Sequence, residues 1–411
     1  MNATPTRTEE RERFMDVLRG FAVLGIFIAN LDFFTYYFLV QPGTTGDLLW
    51  PGWDQKMKVL HQVLIEGKFY SIFSFLFGWG LSLQLMRAEA NGGAATGLIR
   101  RRLLGMLCIG FLHLLFWPGD IIFFYACLGF LLLWIWKRER KHLLRLALIL
   151  VCSPIFLYAL KLMWPVLTFP SDQLAQIGMS LDQQLLHVNS EAEYFAVMHT
   201  QDFWTVLKSN ISGMFYRYSD LLFISRIPKV LGMMVLGLWV GQTHFYKNIA
   251  THQRTLRWVI LVGILIGLPA NCALSYFLHQ KGIYYTLKIE GLYQTIAYTL
   301  GVAPLALAYI AAAMLAFQKP AFNRFASVLA PVGKMALTNY LTQTLVGLLV
   351  FLNIGLGWME KVGPFWYTIF GILFFSIQIV WSTLWLKRFY FGPVEWLWRS
   401  FTYRKWQKMT R

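Results

Sequence analysis

The sequence predicts an all-α membrane protein, a polytopic bundle of about ten transmembrane helices with both termini in the cytoplasm. Apolar stretches of roughly twenty residues recur along the chain, and each is long enough as a helix to cross the ~30 Å hydrocarbon core of a bilayer. The composition is 57% hydrophobic and only 14% charged. Basic clusters occupy alternate gaps between the apolar stretches, and the positive-inside rule assigns such gaps to the cytoplasm.

The predicted spans lie near residues 15–40, 58–86, 101–118, 120–136, 143–166, 220–243, 256–278, 292–317, 326–352 and 365–386. The longest segment between spans falls on the outer side and contains weak helical periodicity, enough for an amphipathic cap. The chain therefore divides into two five-span halves, at residues 1–166 and 220–386. The outer segment between them comprises residues 167–219, and residues 387–411 form a basic, aromatic cytoplasmic tail.

The net charge of +17 does not indicate a nucleic-acid partner. Nucleic-acid binding needs basic residues gathered on one solvated surface, whereas here they stand between apolar spans. The phospholipid bilayer is the partner that this distribution predicts. The four cysteines lie within apolar runs without CxxC spacing, so we expect them to pack in the core rather than bind a metal or form disulfides.

The first span carries the largest number of polar groups, and such groups are costly inside a bilayer. Asp16 and Arg19 are three residues apart, so they share a helix face and can neutralise one another. Asn30 lies eleven residues beyond Arg19 on nearly the same face. This stripe is either part of a substrate site or a structural pair that orients the helix, with an amide that binds a neighbouring helix.

The third and fourth spans are predicted to form a hairpin, because Trp117-Pro118-Gly119-Asp120 is a helix-breaking turn. His113 lies about two turns before the tip, and Arg102 lies eleven residues before His113 on the same face. Basic residues at the inner mouth suit an anionic cytosolic ligand, and a histidine suits general-base chemistry near neutral pH. The alternatives are topology anchors for the arginines and an interhelical hydrogen bond for His113.

The ninth span also carries polar residues. Asn339 and Gln343 are four residues apart, so they lie on the same side of this helix. Such residues either join helices in lipid or line a buried polar cavity. In the second span, Gly78 and Gly80 allow another helix to approach closely. The candidate catalytic residues are His113, Asn30 and Asp120. The candidate substrate-binding residues are Asp16, Arg19, Arg101, Arg102, Asn339 and Gln343.

Five motifs occur in order along nearly the whole chain: MDVLRGFAVLGIFIAN, GKFYSIFSFLFGWG, RRLLGMLCIGFLHLLFWPGDIIFFYACLG, VGKMALTNYLTQT and GPVEWLWR. Together they resemble the YeiB family, bacterial inner-membrane proteins with a domain of unknown function of the DUF418 type. The resemblance implies a multi-pass protein of the bacterial inner membrane.

The first span is also distantly similar to that of transmembrane acyltransferases, including lysosomal heparan-α-glucosaminide N-acetyltransferase and bacterial O-acyltransferases of envelope sugars. In many O-acyltransferases an arginine is followed eleven residues later by a histidine. Here Arg19 is followed by Asn30, as in the glucosaminide enzyme. That enzyme has a histidine soon after the asparagine, whereas the next histidine here is His61. The catalytic base is therefore assigned by its chemistry, to His113.

This similarity implies an enzyme that moves an acyl group from acyl-CoA to a sugar or lipid of the cell envelope, with no bound cofactor. Asn30 and Asn339 would donate hydrogen bonds to the oxyanion. The alternative is a transporter or exporter of a small molecule or lipid, in which Asp16, Arg19, His113 and Asp120 move substrate or protons. A non-catalytic envelope protein is the third hypothesis. The sequence contains no Walker, dinucleotide-binding, HExxH or GxSxG motif.

Overall fold

The computed structural model describes residues 13–90, 95–280 and 286–411. Of the N-terminal basic cluster that the sequence predicts to be cytoplasmic, Arg7 and Arg11 lie outside the described residues and Arg13 is the first described residue. Within these ranges the chain is helical, without a β-sheet. The α-helices, α1 to α18 in chain order, are Arg13–Phe34, Pro51–Leu64, Lys68–Ala90, Ala95–Phe116, Ile122–Ile135, Arg140–Met163, Phe169–Leu186, Glu191–Met198, Phe203–Phe223, Arg226–Thr243, Gln253–Val262, Leu268–Ser275, Ile289–Phe317, Pro320–Ala326, Ala330–Lys334, Ala336–Phe351, Pro364–Arg388 and Pro393–Tyr403.

The structure has the all-α class and the apolar helices that the sequence predicts, but it does not confirm ten spans. Within the described residues, six helical segments are long and apolar enough to cross a membrane, or seven if the pair α9 and α10, bent by 77°, is one span. The predicted spans that fall short are α4, α5 and α16. Helix α5 has 14 residues and α16 has 16. Helix α4 has 22 residues, but three consecutive arginines end at Arg102, and only the 14 residues after them form an apolar run.

The exterior of the bundle is apolar, as expected for a protein that contacts lipid. Large hydrophobic side chains stand out from it, including Trp134 at 83% exposure and Phe156 at 64%. Such a surface is unfavourable in water. The four cysteines are also exposed and unpaired, so the prediction that they pack in the core is wrong. Apolar residues face outward here because lipid, unlike water, does not penalise them.

Two predicted segments contain more helices than expected. The predicted second span is divided between two helices, because the break between α2 and α3 lies at Gly67, whose φ of +78° favours glycine. The segment that the sequence predicts to lie on the outer side is not a weak cap but three helices, α7 to α9, with α9 packed on α7. Asn210 of α9 donates to the carbonyl of Phe116 at 2.7 Å. The segment is thereby fastened to the tip of the α4–α5 hairpin.

Helices α3 and α10 are in direct backbone contact, at glycines on both sides. A Cβ atom at Gly78 would lie 1.8 Å from the carbonyl oxygen of Met234, and one at Gly237 would lie 1.9 Å from that of Phe75. The backbones therefore touch without intervening side chains, as the small residues of the second span predicted.

The elements that carry many of the basic residues meet at one end of the bundle, which we call the basic end. It contains the starts of α1, α4 and α16, the end of α3, and α18. Helix α18 is amphipathic and packs against α4 and α16. This arrangement creates the candidate site.

Candidate functional site

A cavity of about 240 Å³ opens at the basic end, between α1, α3, α4, α16 and α18. Five cationic side chains line it, namely Arg19, Arg87, Arg102, Lys334 and Arg399. Its deeper wall is apolar and includes Phe73, Leu76, Phe77, Leu81, Met106, Ile121 and Ile122. The cavity is therefore amphiphilic, with positive charge near the basic end and hydrocarbon surface beyond it.

Arg19 reaches the cavity as one half of the predicted ion pair with Asp16. The Nη1 atom of Arg19 lies 3.1 Å from Oδ1 of Asp16, whose side chain is fully buried. On the facing helix α3, a Cβ atom at Gly80 would lie 3.1 Å from Nη2 of Arg19. A glycine at this position leaves room for the guanidinium. The pair predicted from the sequence spacing is present, and its cationic member faces the cavity.

The two candidate arginines of α4 have different environments. The guanidinium of Arg102 lies 3.7 Å from the ring centroid of Trp398 and lines the cavity. The indole N–H of Trp398 donates to the carbonyl of Arg102 at 2.7 Å. Arg101 instead donates through Nε to the carbonyl of Thr402 at 3.0 Å and does not line the cavity. Only Arg102 is placed to bind a ligand there, while Arg101 fastens α18 to α4.

Glu395 of α18 joins the tail to the start of α16. Its Oε1 accepts from the backbone N–H groups of Leu337 and Thr338 at 2.8 and 3.0 Å, and its Oε2 accepts from the Thr338 hydroxyl at 2.5 Å. A carboxylate at a helix N-terminus satisfies N–H groups that have no partner within the helix. Burial raises the pKa of Glu395, and these hydrogen bonds oppose the increase. Sequence reasoning missed this role, although the motif GPVEWLWR contains the residue.

We expect Glu395→Ala to lower the free energy of unfolding by about 3 kcal/mol, because it leaves two N–H groups and a hydroxyl buried without an acceptor. Thermal unfolding in detergent would measure the change, and trypsin would cleave sooner at Arg404 or Lys405 as α18 detaches. The matched control is Glu89→Ala, which removes an exposed carboxylate paired with Lys137 and should have little effect. Equal stability of the two variants would contradict this role.

The candidate catalytic residues His113 and Asp120 form a buried hydrogen-bonded pair. Nδ1 of His113 lies 2.6 Å from Oδ2 of Asp120, and Nε2 lies 3.0 Å from the hydroxyl of Thr344. The other oxygen of Asp120 accepts from the backbone N–H of Phe123 at 2.7 Å. The carboxylate thereby orients the imidazole, and Thr344 is the group that faces its second nitrogen. The Pro-Gly turn brings the pair together: the N–H of Asp120 donates to the carbonyl of Trp117 at 3.2 Å.

Tyr340 separates this pair from the cavity. Its ring centroid lies 5.2 Å from that of His113, and the residue also lines the cavity. Its hydroxyl is buried near the backbone N–H of Ile121, and no acceptor among the described residues is placed to take its own proton. A buried hydroxyl whose proton has no acceptor costs free energy unless a ligand or a water molecule accepts it. Sequence reasoning missed Tyr340, and the only signal was its position next to Asn339 in a polar row.

The remaining candidate residues bind neighbouring helices and do not line the cavity. Asn30 accepts a hydrogen bond from the hydroxyl of Tyr70. Asn339 donates to the hydroxyl of Ser382 at 3.0 Å, and the side chains of Gln343 and Gln378 are joined at 2.8 Å. These amides therefore match the alternative of helix-to-helix contacts.

A second polar cluster, which sequence reasoning also missed, lies near the opposite end of the bundle. Lys58 and Asp32 form an ion pair at 2.6 Å. The buried His61 is 3.3 Å from the hydroxyl of Tyr367 and 2.9 Å from that of Thr368. No group of three or more histidine, cysteine or carboxylate side chains in the described part of the chain could hold a metal ion.

Comparison with known proteins yields one family and three full-length relatives. The family model "Protein of unknown function (DUF418)" matches residues 240–405. The chain is 31% identical to "Uncharacterized protein YxaH" of Bacillus subtilis (strain 168), with 99% of this chain and 98% of the relative covered. It is 28% identical to "Uncharacterized protein YeiB" of Escherichia coli (strain K12), with coverage of 96% and 97%. It is 27% identical to "Uncharacterized 39.9 kDa protein in amylase 3'region" of Bacillus acidopullulyticus, with coverage of 98% and 96%. No solved structure matches the chain.

Proposed function

Because the chain belongs to the YeiB/DUF418 family, whose relatives above have no assigned activity, we propose its function from the site: a membrane-embedded acyltransferase. It takes an acyl group from acyl-CoA and transfers it to a sugar or lipid of the cell envelope. The observation that carries the proposal is the amphiphilic cavity that ends at Tyr340, against the buried His113–Asp120 pair.

The two parts of the cavity match the two parts of an acyl-CoA molecule. The phosphates of CoA are polyanionic, and arginine side chains bind phosphate through directional, charge-assisted hydrogen bonds. Arg19, Arg102 and Arg399 supply such groups at the basic end. The thioester and its acyl chain would then enter the apolar part of the cavity. The same distribution of charge supports placing the basic end in the cytosol, where acyl-CoA is found, and the protein in the bacterial inner membrane.

His113 is the general base of the proposed reaction, with Asp120 as the group that orients it. The acceptor oxygen attacks the thioester carbon, its proton passes to Thr344, and the Thr344 proton passes to Nε2 of His113. The carbon–sulfur bond then breaks, and the leaving thiolate takes the proton from the imidazolium. Asn30 and Asn339 are engaged between helices, so we assign the oxyanion hydrogen bond to the hydroxyl of Tyr340, a residue that lines the cavity.

Binding of acyl-CoA by the detergent-purified protein tests this proposal. We expect Arg102→Ala to weaken binding of acetyl-CoA or a longer acyl-CoA by about tenfold to a hundredfold, because a charged hydrogen-bonding partner of the phosphates is lost. Arg100→Ala is the matched control, since it removes an exposed arginine of the same helix. If the protein binds no acyl-CoA, or if both variants bind like the wild type, the proposal fails.

Transport remains a second candidate, supported by the break between α9 and α10. Helices interrupted at membrane depth are common at the substrate sites of transporters, and these two are bent by 77°. Purified protein in liposomes separates the candidates. Acyl-CoA turnover without solute flux supports the enzyme, and pH-dependent flux without turnover supports the transporter.

A further inference from the structure

The tail after α17 forms a second surface, next to the point where a candidate membrane span ends. Helix α17 is one of the helical segments that are long and apolar enough to cross a membrane, and it ends at Arg388. Residues 389–392 are the whole connection from there to α18. Because so short a connection cannot reach far, α18 begins close to the membrane surface.

The last residues of the tail return to the end of α17. The backbone N–H of Tyr390 donates to the carbonyl of Met409 at 2.9 Å, and that of Arg411 donates to the carbonyl of Arg388 at 3.0 Å. These hydrogen bonds fix the tail beside the end of the span, so it does not extend away into solvent. The side chains that follow α18 are therefore held near the lipid headgroups.

The cationic charge of this part of the tail has no anionic partner in the protein. Glu395 carries the one carboxylate side chain of residues 387–411, and it is buried, where it accepts hydrogen bonds from the start of α16. Arg404, Lys405 and Lys408 are exposed. No carboxylate of the described residues forms an ion pair with any of the three. They are therefore available to an anionic partner.

Exposed apolar side chains accompany these cations. Leu397 and Phe401 are four residues apart, so they share one face of α18, and each is more than half exposed. Trp406 is 72% exposed, and its ring stacks on that of Trp396 with 5.1 Å between the centroids. Apolar and aromatic side chains beside lysine and arginine are typical of segments that lie in the membrane interface.

We propose that the tail binds anionic phospholipid through a lipid-binding surface that consists of Leu397, Phe401, Arg404, Lys405, Trp406 and Lys408. The cations bind the phosphate headgroups, and the apolar side chains enter the edge of the hydrocarbon. A lipid fits better than a soluble anion, because the cations lie beside the end of a span and among apolar side chains. Another face of α18 lines the cavity through Trp398 and Arg399, so bound lipid also stabilises that wall. Lipid binding does not depend on acyl transfer.

Thermal unfolding of the purified full chain in mixed micelles at constant ionic strength tests the proposal. A lipid that binds only the folded protein raises the melting temperature with a saturable dependence on its mole fraction. We expect dioleoyl phosphatidylglycerol to do so at a lower mole fraction than dioleoyl phosphatidylcholine, and inorganic phosphate to have no effect. Equal responses to the two lipids would overturn the proposal. An increase with inorganic phosphate as large as that with phosphatidylglycerol would also overturn it, because it would indicate a site for soluble anions.

A triple variant locates the lipid, and it combines Arg404→Gln, Lys405→Gln and Lys408→Gln. The mole fraction of phosphatidylglycerol that gives half of the temperature increase should rise by at least about tenfold, because each basic residue near an anionic surface contributes about fivefold. The melting temperature without lipid should stay near that of the wild type, since the three side chains are exposed. The matched control removes the same charge between the end of α5 and the first turn of α6, with Arg138→Gln, Arg140→Gln and Lys141→Gln. An equal loss in both variants would show a response to net charge alone and reject this surface.

Discussion

His113→Ala is expected to lower the rate of acyl transfer by at least about a hundredfold, because loss of a positioned general base typically costs this much. Binding of acyl-CoA should remain near the wild-type level, since His113 does not line the cavity. The effect should therefore fall on kcat rather than on the affinity for the donor. Single-turnover transfer from radiolabelled acyl-CoA, measured beside equilibrium binding, would separate the two quantities.

Variants of Asp120 and Thr344, the two hydrogen-bond partners of His113, make this prediction specific. Asp120→Asn keeps the size of the orienting group but offers only one acceptor oxygen, so it should also slow transfer. Thr344→Ser should retain most activity where Thr344→Ala does not, because only the serine variant keeps a hydroxyl opposite Nε2 of His113. His142→Ala, at an exposed site beside Glu139, should be neutral. Full transfer by His113→Ala would remove this residue from the mechanism.

The parts of the site that depend on local spacing could be predicted from the sequence. Asp16 and Arg19 are three residues apart on one helix, and their ion pair follows from helix geometry alone. The pairing of His113 with Asp120 could also be predicted from local spacing, because a tight turn lies between the two residues. Local spacing does not separate Arg101 from Arg102, since either can face the ligand until the position of α18 is known.

The rest of the site depends on contacts between distant segments. Tyr340 and Glu395 lie more than two hundred residues from His113, and no local pattern shows that they share one cavity. Asn30 and Asn339 are the opposite case, because the sequence suggests a site for them and the structure places them in contacts between helices. A buried amide needs a partner whether that partner is a ligand or a helix, and only packing decides between them. The span count was uncertain because α5 and α16 are shorter than the apolar runs that contain them.

Gly78→Val is expected to have the largest effect on stability, about 3 kcal/mol or more, because it would overpack the contact of α3 with α10. The new Cβ would lie 1.8 Å from the carbonyl oxygen of Met234. A backbone atom cannot rotate away as a flexible side chain can, so the two helices would have to separate. Gly237→Val should act in the same way, since its Cβ would lie 1.9 Å from the carbonyl oxygen of Phe75.

Size-exclusion chromatography and thermal unfolding in detergent would measure this effect, with Gly52→Ala as the control, because a Cβ there meets nothing within 4 Å. We expect little or no monodisperse protein from either valine variant, and wild-type behaviour from the control. The result bears on function because α3 contributes Leu76, Gly80 and Arg87 to the cavity at the basic end. If Gly78→Val assembled normally and still bound acyl-CoA, neither the close packing of α3 on α10 nor the cavity wall built on it would be as described.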